Sequence, residues 1–239
     1  MPVPLEGAVL GVSMSGCSIA VVIPALNEAA NLERLLESLE QEGFHTLIVV
    51  DGGSKDESAD IARRAGAIVI RSARGRGRQM NAGAAHASAP VLLFLHADTR
   101  LPSGAGALIE DALRDPTVVG GCFRLSFDKR SALLRFYASM TRFETALTTF
   151  GDQAYFVRAS VFNGIGGYPE WPLLEDVQLR RDLRQRGRFV KLPSPVVTSA
   201  RRFNREGTVR RQLLNGLVLL LFYCGISAER LARWYPAGH

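Results

Sequence analysis

The chain has 239 residues, 47% of them hydrophobic and 22% charged. That is enough for one large domain or two small ones, and it excludes a disordered chain, a collagen and a coiled coil. Three cysteines (Cys17, Cys122, Cys224) stand far apart with no CxxC pair, which argues against a disulfide framework or zinc ribbon and for a reducing compartment.

Twenty-nine basic and 23 acidic residues leave a net charge of +6. The excess is local: Arg180 to Arg211 holds eleven Lys/Arg and two acidic residues (11 − 2 = +9), so the remainder carries about −3 (6 − 9). Such a block suits phosphates, anionic lipid or nucleic acid, or is simply a solvated face.

Residues 1–17 carry Glu6 and no basic residue ahead of their apolar stretches, so they read as a loose extension rather than a cleavable signal. Ser18 to Pro24 is an apolar, β-branched run and predicts a buried strand. Glu28 to Glu42 spaces Leu32, Leu35, Leu36 and Leu39 as a helical stripe. Thr46 to Val50 predicts a second strand, ending at Asp51-Gly52-Gly53-Ser54. A helix from Asp56 to Ala65 follows, with Ser54 as its expected cap. Ala67 to Arg71 is a third strand, a Gly/Arg loop leads into a helix from about Arg78 to Ala87, and Val91 to Leu95 is a fourth strand, ending in His96-Ala97-Asp98-Thr99. Alternation at this pace means βαβ crossovers and a mostly parallel sheet, and strands apolar on both faces fit its interior.

Farther on, Val118 to Phe127 predicts a strand, Ser131 to Leu147 a helix, and Gly151-Asp152-Gln153 leads into an apolar segment, Ala154 to Val157. Gly164 to Pro172 is turn-rich. Leu174 to Arg186 is an amphipathic helix opening at Glu175-Asp176. Phe189 to Leu192 is a further strand, and Thr208 to Tyr235 is a long or broken helical region. The expected organisation is an extension (1–17), one α/β domain (18–207) and a helical C-terminal appendage (208–239). The apolar run from Leu213 to Ile226 has 14 residues, short of the ~20 a simple span needs, so it reads as a core helix or a membrane-surface helix.

In such sheets ligands bind beyond the carboxyl ends of the strands. The polar residues gather there: Glu28 after the first strand, Asp51 after the second, Arg74, Arg76 and Arg78 after the third, His96 and Asp98 after the fourth. A carboxylate such as Asp98 can hold Mg²⁺ or Mn²⁺, which bind through one or two carboxylates plus substrate phosphates; its bland alternative is a turn aspartate, and a lone histidine such as His96 is usually structural. Asp51 can accept from a base N–H or a ribose hydroxyl, or merely close a turn. Arginine forks fit phosphate oxygens. Glu175-Asp176 either favours the helix dipole or supplies a general base, and Asp152 is a third carboxylate suited to an acceptor or metal site. Neither GxGxxG nor GxxxxGK[ST] is present, which counts against a dinucleotide fold and a P-loop.

Taken together, VVIPALNE (Val21 to Glu28), VVDGGSKDES (Val49 to Ser58), GRGRQMNAGA (Gly75 to Ala84), LHADT (Leu95 to Thr99), GDQAYFVR (Gly151 to Arg158) and LLEDVQLRRDL (Leu173 to Leu183) resemble a family 2 glycosyltransferase of the GT-A fold. The match runs from about Ile19 to Arg188. The HADT, GDQ and EDVQL combination resembles a small bacterial subgroup, some of whose members are labelled carotenoid-acid glycosyltransferases. The resemblance implies a nucleotide-diphosphate-sugar donor held by Pro24, Ala25, Glu28, Asp51 and Ala97, with Arg76 or Arg78 near the diphosphate. It implies a metal at Asp98, with His96 standing where the family's first Asp usually is. Asp176, beside Glu175, becomes the general base of an inverting displacement onto a hydroxyl or carboxyl acceptor, and Asp152, Gln153 and Trp171 line the acceptor side. Gln178 and Arg181 resemble a QxxR pattern but overlap the ED helix, so they take no role from it.

A GT-A-like nucleotidyltransferase is expected to show a basic Gly-rich loop where PALNE stands. A non-catalytic lipid- or nucleotide-binding protein is the other rival. Only Phe189 and Phe203 interleave the cations, so nucleic acid is not an expected partner. Arg201, Arg202, Arg205, Arg210 and Arg211 precede the apolar run as a juxtamembrane cluster would. The expected place is the cytoplasm, with peripheral attachment to the inner membrane face and a lipid-like acceptor; a homodimer is compatible with all of this.

Overall fold

The computed structural model describes residues 18–129, 131–200 and 208–235. The expected extension at 1–17 and most of the expected basic cluster (201–207) lie outside them.

One eight-stranded sheet organises the chain, in the order β3-β2-β1-β4-β7-β6-β8-β5. Its first half is β1 (Ile19–Ala25), α1 (Ala29–Gln41), β2 (Thr46–Asp51), α2 (Ser58–Arg64), β3 (Ile68–Arg71), α3 (Arg76–Ala85) and β4 (Val91–Phe94), with β3-β2-β1-β4 all parallel. Alternate side chains of β1 serve two cores. Val21 and Ile23 pack with Leu32 and Leu36 of α1, whereas Ala20 and Val22 pack with Met80 and Ala84 of α3. Helices on both faces therefore explain the unbroken apolar strands.

The second half adds β5 (Thr99–Arg100), α4 (Ala105–Leu113), β6 (Val118–Phe127), α5 (Ala132–Met140), a 3-10 turn (Gly151–Gln153), β7 (Tyr155–Arg158), α6 (Ala159–Gly164), α7 (Glu175–Arg186), β8 (Arg188–Thr198), α8 (Thr208–Tyr223) and α9 (Ala228–Ala232). β7 is antiparallel to β4 and β6, β8 is parallel to β6, and β5 is antiparallel to β8. Six strands thus point one way, as expected, and β7 and β5 oppose them.

Several expected boundaries change. The helix expected over 131–147 stops at Met140, because Thr141 is drawn inward and its Oγ1 accepts from the Leu125 N–H at 2.9 Å. The expected strand at 189–192 runs on to Thr198 through Pro193 and Pro195; beyond Val197 and Thr198, which meet β5, this side of β8 has no strand partner, so the missing N–H groups cost little. Ser54 does not cap α2, whose N-cap is Glu57. The run 213–226 is not a sealed core helix: Val218 and Leu219 of α8 are buried, but Leu213 is 70% exposed and Leu217 and Leu220 are exposed with it.

Candidate active site

The rim at the carboxyl ends of β1 and β2 is a hydrogen-bonded loop pair. The Ser54 N–H donates to Asp51 Oδ1 at 2.9 Å, the Asn27 N–H to Ser54 Oγ at 2.9 Å, and the Lys55 N–H to Asn27 Oδ1 at 2.8 Å. Ser54 is thus a rim residue. Gln79, on α3, bridges the two strand ends, its Nε2 donating to the carbonyls of Ala25 (3.0 Å) and Val50 (2.8 Å). A Cβ on Gly52 would sit 2.9 Å from that amide, so the DGG turn needs glycine there for close approach. A cleft of about 250 Å³ opens beside this rim, lined by Asp51, Gly53, Ser54, Arg71 and Ser72. Pro24, Ala25 and Ala97 are buried and shape the rim through their backbone. Glu28 accepts from Asn31 Nδ2 and its own N–H donates to Ser58 Oγ.

The second part of the site depends on strand direction. Phe94, the last residue of β4, pairs with Tyr155, the first of β7. The turn Gly151-Asp152-Gln153 therefore arrives beside His96-Ala97-Asp98. The latter segment is pinned by Thr99 N–H to His96 O (3.0 Å) and Ser199 N–H to Asp98 O (3.2 Å). α7 meets the same place with its N-terminus: the Gly151 N–H donates to Asp176 Oδ2 at 2.6 Å, and a Cβ on Gly151 would lie 3.0 Å from that of Asp176.

The result is a cluster of acids. Burial raises Asp152 to about 7, and the neighbouring carboxylates of Asp176 and Asp98 add to the rise against Arg76 and Lys191. Burial likewise raises Glu175 to about 7, with Asp176 adding and Arg76 opposing. Arg76, Asp98, Asp152, Glu175 and Asp176 are therefore neighbours, drawn from four separate segments. Oδ1 of Asp152 is sealed from solvent with no hydrogen-bond partner. Among the described residues, three non-glycine residues have positive φ: Asn27 (54°) on the β1–β2 rim, and Ala154 (52°) before β7 and Leu174 (63°) before α7 at the acid cluster. Strain of this kind clusters at functional sites.

Three expected site residues point elsewhere. Gln153 is wholly buried. Its Nε2 donates to Thr148 O (2.8 Å), and its Oε1 accepts from Lys191 Nζ (2.7 Å) and from Cys122 Sγ, so it supports the turn and lines no cleft. Arg78 turns to Glu170, Nε to Oε2 at 2.8 Å. Trp171 stacks edge-on against Phe222 of α8, their ring centroids 6.0 Å apart, in a separate cleft of about 660 Å³ whose other walls include Arg181 and Tyr223.

Sequence reasoning missed Gln79, Lys191 and Tyr137. Lys191 had a signal, a lone cation inside the apolar run of β8; it is half-buried, donates also to Thr149 Oγ1 (2.8 Å), and burial lowers its pKa. Gln79 had none.

Among the described residues no three His, Cys, Asp or Glu side chains form a ready-made metal cage. The donor set still fits a hard divalent cation, which takes one or two carboxylates and completes its shell with phosphate and water. Asp98 beside the unpartnered Oδ1 of Asp152 is such a pair.

The family model for glycosyl transferase family 2 matches residues 20–163, more than half of the chain. The glycosyltransferase AglJ of Haloferax volcanii is 32% identical over 83 residues, 34% of this chain and 27% of that protein. The 4,4'-diaponeurosporenoate glycosyltransferase of Staphylococcus haemolyticus is 37% identical over 93 residues, 35% of this chain and 25% of that one. The alignments thus span about a quarter of these relatives' lengths. Among solved structures, glucosyl-3-phosphoglycerate synthase from Mycobacterium tuberculosis, in complex with Mg²⁺ and uridine diphosphate, superposes with a TM-score of 0.61 at 21% identity, covering 90% of this chain and 82% of that one.

Proposed function

The chain belongs to glycosyl transferase family 2, and from that premise we propose that it is a metal-dependent inverting glycosyltransferase. It moves a sugar from a nucleotide-diphosphate donor to a hydroxyl or carboxyl acceptor of lipid-like character. The convergence of Arg76, Asp98, Asp152 and Asp176 at the end of β4, beside the Asp51 rim, carries this reading.

In it, Asp51 and Glu28 receive the nucleoside and Arg76 faces the diphosphate. Asp98, with Asp152 and His96, would hold Mg²⁺ or Mn²⁺, whose positive charge would stabilise the leaving diphosphate. The solved synthase that superposes on this chain is described with Mg²⁺ and with Mn²⁺ and UDP-glucose, which supports that choice. Asp176 takes the proton of the acceptor hydroxyl as its oxygen attacks the anomeric carbon. The bond from that carbon to the diphosphate oxygen breaks, and the nucleoside diphosphate leaves with the electron pair. The two backbone N–H groups on Asp176, from Gly151 and Val177, fix where its carboxylate stands. Glu175 is buried next to it, within the fields of Asp176 and Arg76. The reading includes a cytoplasmic enzyme attached peripherally to the inner membrane face; no helix among the described residues is long and apolar enough to cross a membrane.

The test is a panel of nucleotide sugars titrated with and without Mn²⁺, on the parent protein and on Asp98→Ala. One donor binding only with metal, and lost in the variant, is the expected result. Equal binding with and without metal to both proteins overturns the metal role, and no binding by any donor overturns the reading.

A further inference from the structure

Nine of the ten large apolar side chains that stand exposed among the described residues fall in two segments, 133–147 and 213–234. The first holds Leu133 and Phe136 on α5, then Phe143 and Leu147 in the turns after it; Phe136 is 63% exposed. The second holds Leu213, Leu217 and Leu220, spaced by four and three residues and so on one face of α8, followed by Tyr223 and Trp234. Scattered apolar residues need no explanation, but a concentration of this kind marks an interaction surface.

The charges on these segments are one-sided. Arg135, Arg142, Arg210, Arg230 and Arg233 are exposed, and none has a carboxylate within ion-pair distance among the described residues. Of the acids, Glu144 is turned inward, bonded to Arg180 and Arg184, leaving Glu229 as the exposed one. Apolar side chains rimmed by arginines that lack a carboxylate partner among the described residues, Arg142 lying over the Phe143 ring at 4.6 Å, match a bilayer surface that carries negative headgroups, rather than a neutral protein partner.

The two segments also meet at the carboxylate cluster. Tyr137, next to the exposed Phe136, is half-buried and stands within electrostatic reach of Asp152 and Asp176 and of Tyr235 beyond α9. Tyr235 Oη and Asn215 Oδ1, 2.7 Å apart, tie the chain beyond α9 back onto α8.

We propose that α5 with its following turns, together with α8 and α9, forms one docking face for an anionic lipid bilayer, and that the inner side of this face is the wall of the carboxylate cluster. Docking there holds the site at the membrane surface, where an acceptor anchored in lipid reaches it without leaving the bilayer. The lipid contact stands by itself; the delivery of an acceptor rests on the glycosyl-transfer reading above.

The experiment is co-sedimentation of the full chain with vesicles of phosphatidylglycerol and phosphatidylcholine, and with phosphatidylcholine alone, at low and high salt. The proteins are the parent, Phe136→Ser, Leu217→Ser and the double variant, each first checked for its circular dichroism and its binding of donor sugar with Mn²⁺. We expect binding to the anionic vesicles at low salt, weakening at high salt and on phosphatidylcholine. Each single variant loses part of it, and binding of the double variant weakens roughly a hundredfold or more, the scale of two buried apolar side chains. Failure of the parent to bind anionic vesicles overturns the proposal. So do variants that bind like the parent, and so does a parent dimer that Phe136→Ser converts to monomers without vesicle binding, since the covered face then belongs to a second copy. Vesicle binding without donor binding keeps the docking face and removes the transferase reading; donor binding without vesicle binding does the reverse.

Discussion

The two sides of the candidate site are built differently. The β1–β2 side is a set of short hydrogen bonds, the Ser54 N–H to Asp51, the Asn27 N–H to Ser54, Gln79 to two strand-end carbonyls, and these polar groups find partners inside the loop pair. The β4–β7–α7 side gathers charge. Among the described residues, every group whose pKa is pushed upward lies between Cys122 and Glu175, and the four sealed polar atoms without partners (on Arg124, Asp152, Tyr155 and Gln212) all lie from β6 onward. The first side is complete as folded. The second carries a cost of buried, mutually repelling carboxylates that a bound cation would relieve. Removing a group from each side separates these two kinds of construction.

The largest effect belongs to Asp176→Asn. The amide keeps an oxygen for the Gly151 N–H, so the turn stays in place. The base is lost, and kcat for transfer should fall by about 10² to 10⁴ with little change in the unfolding midpoint. Steady-state turnover together with a urea titration checks both halves, and unchanged turnover removes Asp176 from the chemistry.

Next comes a matched pair of truncations. Gln153→Ala takes an acceptor from the half-buried Lys191 ammonium and a donor from Thr148 O, and leaves a void beside Cys122. The expected cost is about 2–4 kcal/mol. Gln79→Ala removes one donor from each of the Ala25 and Val50 carbonyls, Ala25 O keeping the Gly52 N–H, for about 1–2 kcal/mol. Urea midpoints at constant m-value read the difference. Equal costs would mean that the β4–β7–α7 side is no more demanding than the β1–β2 side.

The charged side should also carry a pH signature. Glu175 titrates at about 7 in the fold, against an ordinary 4.5. Between those values the folded protein holds a proton that the unfolded chain has released, so stability falls as pH rises across the window, and the full penalty stands above about 7. Glu175→Gln removes that penalty. It should be neutral below about pH 4.5 and stabilising by roughly 1–3 kcal/mol at pH 8, given ~1.4 kcal/mol per pKa unit. A difference independent of pH would show that Glu175 is not the strained group.

What could be read from sequence divides along the same line. β1, β2 and β4 were legible because each is an apolar run buried on both faces, α1 because its leucines repeat at three and four, and β3, a half-exposed edge strand, as a short β-branched run. α4 was not, because Ser103, Gly104 and Gly106 at its start look like a turn. Asp98, Asp152 and Asp176 were legible as carboxylates at element ends. Their convergence was not, since it depends on β7 running against β4, which no local periodicity encodes. Neighbouring residues then part company: Asp152 joins the cluster while Gln153 is drawn inward by Lys191, 38 residues later in the chain. The apolar run at 213–226 was visible as such, but its partner in exposure, the face of α5 around Phe136, was hidden inside an ordinary amphipathic pattern.

The smallest effect sharpens the border between the two sides, which passes through the first turn of α3. Arg76 and Arg78 are two residues apart and both exposed. The charge of Arg76 is felt at Asp152 and Glu175, whereas Arg78 is paired with Glu170, the two side chains 49% and 59% exposed. An exposed pair of this kind contributes about 0–1 kcal/mol, so Arg78→Gln should move the urea midpoint little and leave the donor KM within about twofold. Arg76→Gln, by contrast, withdraws the one arginine that opposes both raised carboxylates; losing a charge-assisted contact to the diphosphate should raise the donor KM about tenfold or more. The reverse order of KM effects would mean that the Glu170 pair opens when donor arrives and that Arg78, not Arg76, meets the phosphates.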